Sequence, residues 1–161
     1  MRCLASLCLT AAVLAQAPTV NKEPELGLVH WGRDFAAAKT RAEKEHKPLL
    51  LLFQEIPGCD TCTGFGKDVL SDPMLVAAIE QCFVPTVVRN NVEGKEKEVL
   101  EQYQEPAWNN PVMRLLDSNG KDLIPRADGI WDPHGIAVRM IAALETTKQP
   151  VPGYLQIARD E

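Results

Sequence analysis

From Asp34 onward the chain switches between two hydrophobic rhythms. Phe35, Ala38 and Ala42 recur at helical spacing, Asp34 stands where an N-cap belongs, and His46-Lys47-Pro48 closes the segment, so a helix is predicted between them. LLLLF, residues 49–53, has no polar face, and a run so short and continuous predicts a strand covered on both sides. Helical spacing resumes with Phe65, Val69 and Leu70, stops at Ser71-Asp72-Pro73, and restarts through Met74, Val76, Ala77 and Ile79. FVPTVVR, residues 83–89, is β-branched and predicts a second strand, with Pro85 limiting it to a strand end, an edge or a bulge. A charged helical segment, GKEKEVLEQYQ, leads to Pro106. VMRLL and DLIPR then flank Ser118-Asn119-Gly120-Lys121, and Asn-Gly between two apolar runs predicts a hairpin. Asp132-Pro133 opens a last helix with Ile136, Val138, Ile141 and Leu144 as its apolar positions. The order predicts an α/β domain: parallel strands joined by crossover helices, a C-terminal β-hairpin at one edge of a central mixed sheet, and helices flanking it.

Composition mainly excludes. At 161 residues and 45% hydrophobic content the chain suits one domain with one sizeable core. Its 17 Lys+Arg against 22 Asp+Glu give a net charge of −5, which offers no electrostatic reason to bind nucleic acid or an anionic membrane. The first 17 residues, MRCLASLCLTAAVLAQA, carry Arg2, an uncharged apolar stretch and the small-x-small sequence Ala15-Gln16-Ala17, the pattern of a cleaved secretory signal. The apolar stretch is shorter than the roughly 20 residues a spanning helix needs. Cys8 follows Leu7, where a lipidated signal wants a small residue. The organisation read from the sequence is a signal peptide over 1–17, a polar leader over 18–29, one domain over 30–147 and a proline-rich tail over 148–161. The mature protein is expected to be exported, periplasmic or secreted, with no membrane span. Of five cysteines, Cys59, Cys62 and Cys82 then remain, and where disulfides persist an odd count leaves at least one thiol unpaired.

Cys59-Asp60-Thr61-Cys62 sits on the turn from the LLLLF strand into the next helix. Together with WGRDFAAAKTRAEKEHKPLLLLF before it, LSDPMLVAAIEQCFVP after it, NNPVMRLLDSNGKDL, and Gly129 ahead of the last helix, the motif resembles the thioredoxin superfamily, in particular exported thioredoxin-like domains. The likeness covers roughly residues 30–145. It implies the thioredoxin-like fold, with Cys59 as attacking thiolate, Cys62 as resolving thiol and a cis bond at Asn110-Pro111 facing them. Asn110, Pro111 and Trp108 are then the expected substrate-binding residues. Two departures stand out: Gly58 occupies the place of the usual tryptophan, and an apolar residue near Leu52 replaces the usual buried carboxylate. Glu55 is left as the candidate proton acceptor for Cys62.

The residues themselves favour redox chemistry over the alternatives. A disulfide closing four residues removes little unfolded-chain entropy, about 2 kcal/mol against about 4.7 for a hundred-residue loop, so stability is a weak reason for the pair. A helix N-terminus stabilises a thiolate through its free N–H groups and dipole, and a cysteine three positions on shares its face. Asp60 sets a negative charge against that dipole, which predicts a reducing or intermediate poise. No cofactor is called for; the expected partners are protein or small-molecule disulfides and an electron donor or acceptor. Structural zinc needs four ligands, and one CxxC, Cys82 and three scattered histidines supply no second pair. Two other readings stay open: a thioredoxin-like binding or chaperone module with non-catalytic cysteines, and a copper site from Cys59, Cys62 and His134. Cys82 reads as an inert buried thiol, and Trp31 and Trp131 as packing or rim residues.

Export has a direct check. Secreted protein should begin at Pro18 or a neighbouring residue, read by N-terminal mass spectrometry; material still carrying Met1 would refute the signal peptide.

Overall fold

The computed structural model describes residues 22–160, so the signal peptide and the start of the leader lie outside the described residues. Helix α1 (Phe35–Glu45) is capped by Asp34, whose carboxylate accepts from the Ala37 N–H, and it ends at His46 in the left-handed region. Strand β1 (Leu49–Gln54) follows and is buried at all six positions. Next come α2 (Asp60–Asp68), α3 (Pro73–Cys82), β2 (Val84–Arg89), α4 (Lys95–Gln102) and β3 (Val112–Leu116). Helices α5 (Pro133–Thr146) and α6 (Gly153–Asp160) complete the order. Asp72 and Asp132 cap α3 and α5, each with proline in the first turn, as the sequence predicts.

The sheet runs β2-β1-β3, with β1 parallel to β2 and antiparallel to β3. Side chains alternate across it. Leu50 and Leu52 face α2, α3 and α5 in the larger core, whereas Leu49, Leu51 and Phe53 face α1 and α4. That explains the unbroken apolar run: β1 has helices over both faces and strands on both edges. Pro85 sits in β2 at no loss. Its carbonyl points outward, accepting from the Gly32 N–H at 3.0 Å, and a strand residue's N and O point the same way, so the missing N–H lies away from β1.

Three expectations are refined. The Asn119-Gly120 turn forms, with the Asp117 carboxylate accepting from the Asn119 and Lys121 N–H groups, both at 2.9 Å. Its returning arm is a single bridge, Leu116 to Asp122, made by two bonds: Leu123 N–H to the Leu115 carbonyl at 2.9 Å and Asp117 N–H to the Lys121 carbonyl at 2.8 Å. Pro125 lacks the donor that a further rung would use. The segment read as a leader includes a single 3-10 turn, Pro24–Leu26, buried at Glu25 and Leu26 and packed on α2. The segment read as a tail carries α6, which buries Leu155 and Ala158 against α3 and α5. Among the described residues no helix is long and apolar enough to cross a membrane.

On the α4 side a buried ion cluster ties β3 to the loops around it. The Glu105 carboxylate is fully buried, 2.7 Å from both Arg114 on β3 and Arg126. Arg114 also reaches Asp122 at 2.6 Å, and Arg126 reaches Asp128 at 2.8 Å. Burial alone would push the Glu105 carboxyl up, but hydrogen bonds from Arg126 and Arg114 outweigh it and hold the pKa below the usual range. A depressed carboxyl stabilises the fold above its unfolded value of about 4.5, and that contribution is lost as pH falls through the lower folded value. Glu105→Ala should therefore cost about 3 kcal/mol in urea unfolding at pH 7, because two arginines lose a buried partner. The deficit should shrink toward pH 3. A loss independent of pH would refute the electrostatic account.

Candidate active site

Four elements converge on the cysteines. β1 ends at Gln54, and the chain turns through Glu55, a cis Ile56-Pro57 bond and Gly58 at φ 122°. Gly58 is required there, since that φ is one which side-chain-bearing residues rarely adopt. Cys59 is the N-cap of α2: its backbone is extended and its Sγ accepts from the Cys62 N–H at 3.2 Å. A sulfur thus occupies the position a serine or aspartate oxygen usually fills, at the end of the helix where N–H groups are free. Cys59 is half-buried. Cys62, one turn inside, is fully buried.

The loop before β3 closes the site. The Asn110-Pro111 bond is cis. The Asn110 Oδ1 accepts a hydrogen bond from the Cys62 thiol and a longer one from the Glu55 N–H at 3.4 Å. Asn91, after β2, accepts from the Ile56 N–H at 3.4 Å, so the turn into the motif is held from both neighbouring strands. Burial pushes the Cys62 thiol well above its ordinary 9.0, the hydrogen bond with Cys59 and the negative charge of Glu55 add to the rise, and only the Glu55 N–H opposes it. Cys62 is therefore a neutral thiol throughout the physiological range.

The residues singled out from the sequence are placed unequally. Cys59, Cys62, Asn110 and the Glu55 N–H are joined by hydrogen bonds, with Pro111 next in the chain after Asn110. Asp60 is exposed in the first turn of α2. Trp108 is 82% exposed on the loop leading to Asn110. It is Trp131, read from the sequence as packing or rim, that touches the proline residue, donating from Nε1 to the Pro111 carbonyl at 3.1 Å. His134 is not brought to the cysteines: its Nδ1 lies 2.9 Å from the Ala158 carbonyl on α6, in a hollow with Asp72 and Asp132. Among the described residues no group of three His, Cys, Asp or Glu side chains is placed to hold a metal. Cys82 is half-buried at the end of α3, its thiol raised by burial against an opposing pull from Lys47. Sequence reading also missed Gln54. Buried completely on the α2 face of β1, it donates from Nε2 to the Cys62 carbonyl at 3.3 Å and to the Glu25 carbonyl. The only sequence signal for it is a polar residue ending an otherwise apolar strand.

Residues 30–118, more than half of the chain, match the thioredoxin-like family. The chain belongs to that family. Solved structures agree on the fold. A DsbH oxidoreductase superposes with a TM-score of 0.59 at 18% identity, covering 88% of this chain and 96% of its own. A thioredoxin-fold protein from Helicobacter pylori gives 0.53 at 18% identity, over 72% of this chain and 86% of its own. No curated protein matches the chain in sequence. At these identities the structures speak for the fold of this thioredoxin-like domain, and the chemistry rests on its own residues.

The two thiols should label unequally. At pH 8 iodoacetamide should modify Cys59 while leaving Cys62 untouched until the protein is unfolded in guanidinium, read by peptide mass spectrometry. Because the folded Cys62 pKa is raised, its contribution to stability is complete below about pH 9 and is lost as pH rises through the folded value. Equal native labelling of both cysteines would refute the asymmetry.

Proposed function

We propose that this protein is an exported thiol-disulfide oxidoreductase that exchanges disulfides through Cys59 and Cys62. The observation that carries the reading is the division of labour in the pair: one sulfur caps a helix N-terminus at the surface, and the other is a buried neutral thiol hydrogen-bonded to the loop of a cis-proline. In the proposed cycle Cys59 attacks a substrate disulfide as thiolate, forms a mixed disulfide and releases one substrate sulfur. Cys62 then attacks the Cys59 sulfur, closing the Cys59–Cys62 disulfide and releasing the second substrate sulfur as a thiol. Cys62 gives up its proton in that step, so the balance is two protein thiols oxidised for one substrate disulfide reduced. The reverse sequence oxidises a dithiol.

Several residues support roles in this cycle. Trp108, standing in solvent beside Asn110, suits contact with an apolar flank of a protein disulfide. Trp131 anchors the Pro111 carbonyl, which keeps the loop in place against Cys62. Asp60, in the first turn of α2, sets a negative charge against the helix dipole, and the reading of a reducing or intermediate poise rests on that opposition. The signal-like N-terminus supports action in the periplasm or outside the cell.

Trapping tests the cycle. Cys62→Ser should accumulate mixed disulfides through Cys59, because attack proceeds and resolution cannot, and Cys59→Ser should accumulate none. Dithiothreitol-driven reduction of a protein disulfide should fall by about a hundredfold or more in Cys59→Ser. Wild-type rates in Cys59→Ser would instead identify a binding module with idle cysteines.

A further inference from the structure

The segment Glu23–Leu28 precedes the part of the chain that matches the family, yet it lies directly on the cysteine-bearing helix. The Leu28 N–H donates to the Leu70 carbonyl at 2.8 Å, and Trp31 Nε1 donates to the Leu26 carbonyl at 3.0 Å. A Cβ on Gly66, in the middle of α2, would overlap the Pro24 carbonyl, and one on Gly27 would overlap the Leu70 carbonyl. Strap and helix therefore approach backbone to backbone. Gln54 joins them to the motif, its single amide nitrogen donating to both Glu25 of the strap and Cys62 of the helix.

Two features show that this junction is not simply core packing. Gln54 Oε1 is buried with no hydrogen-bond partner, which destabilises the fold, whereas Leu50 and Leu52 fill the same face of β1 with no such orphan. What the amide adds over a leucine is its pair of N–H bonds. Further, α2 is DTCTGFGKD, nine residues with two glycines, a helix of low intrinsic propensity that needs holding from outside. Gly64 has open space around it, but Gly66 is where the strap seats.

We propose that Gln54 and the strap Glu23–Leu28 form a clamp that positions Cys62 for its attack on the Cys59 mixed disulfide. Gln54 is thus a positioning residue for the second step of exchange, an inference that rests on the exchange cycle above. The step is Cys62–SH plus Cys59–S–S–R giving the Cys59–Cys62 disulfide plus R–SH: the Cys59–R bond breaks, the Cys59–Cys62 bond forms, and the proton passes from Cys62 to the departing sulfur. Attack requires the Cys62 sulfur in line with the bond that breaks, so loosening the first turn of α2 slows resolution while leaving the capping Cys59 free to make the first attack.

The experiment mixes the reduced full protein with excess glutathione disulfide, quenches with acid, and follows the Cys59–glutathione adduct by mass spectrometry. In Gln54→Leu the adduct should live about tenfold longer than in wild type, with its rate of formation within about twofold. Gly66→Ala is the second arm, since the added methyl displaces the strap while raising helix propensity. It should also prolong the adduct, whereas Gly64→Ala, which raises propensity in open space, should not. If helix stability alone mattered, both alanines would leave resolution unchanged or faster, and that result overturns the clamp. So does an unchanged lifetime in either folded clamp variant, or an equal slowing of both steps. Should Gln54→Leu fail to fold, the Gly66 and Gly64 comparison decides. If wild type forms neither the Cys59–glutathione adduct nor the Cys59–Cys62 disulfide, the exchange reading itself is overturned, and the clamp's role with it.

Discussion

Strand β1 is enclosed by helices on both faces and by strands on both edges, and the geometry of the site follows from that enclosure. Six consecutive residues with no exposed side hold the end of the strand at a fixed depth below the surface. The chain must therefore climb from buried Gln54 to the surface within a few residues, and the cis Ile56-Pro57 bond and Gly58 shape the climb. Cys59 arrives at the top and Cys62 one turn back down. Depth, more than any special neighbour, makes the two sulfurs different, because burial is the largest cause of the raised Cys62 thiol.

The other elements fix that arrangement laterally. Asn110 meets the motif from β3, Asn91 from β2, and the strap from beneath α2. The Asn110 loop is itself held from behind, where Asn109 donates to Asp128 at 2.6 Å and Asp128 joins Arg126 and buried Glu105. An ion cluster on the far face of the sheet thus steadies the loop that meets the thiol. The hydrogen bonds of such a chain polarise one another and lose that advantage if any member is removed.

Much of this was legible in the sequence because it is local. The three aspartate caps, the change of period from helix to strand, and cysteines at spacing three are each signalled within a few residues, and the elements form where those signals stand. The Cys59–Cys62 motif and the Asn110-Pro111 loop could be named because the resemblance joins them; spacing alone would not have brought them together. What escaped depends on partners far along the chain. Gln54 and Glu25 are 29 residues apart, Arg126 and Glu105 are 21, and Trp131 and Pro111 are 20. A glutamine at a strand end or a glutamate after a helix carries no local sign of such a partner. Helix α6 was missed for the opposite reason: its eight residues begin at a glycine after Pro150 and Pro152, local signals of a tail, and burial of Leu155 and Ala158 overrides them.

The polar groups about Cys62 bear on where its proton goes. Gln54 and Asn110 are carboxamides, which can orient a thiol or a carbonyl but have no basic site to take a proton at neutral pH. Glu55 is the carboxylate whose charge reaches Cys62, and that charge raises the thiol further instead of drawing off its proton in advance. Ionising Cys62 before attack would therefore be unfavourable in this site. In the proposed cycle the departing substrate sulfur, which gains negative charge as its bond to Cys59 stretches, is the stronger base at that moment. Proton transfer coupled to bond breaking is the path that such a buried, raised thiol favours in that cycle, and it requires no dedicated buried carboxylate near Leu52.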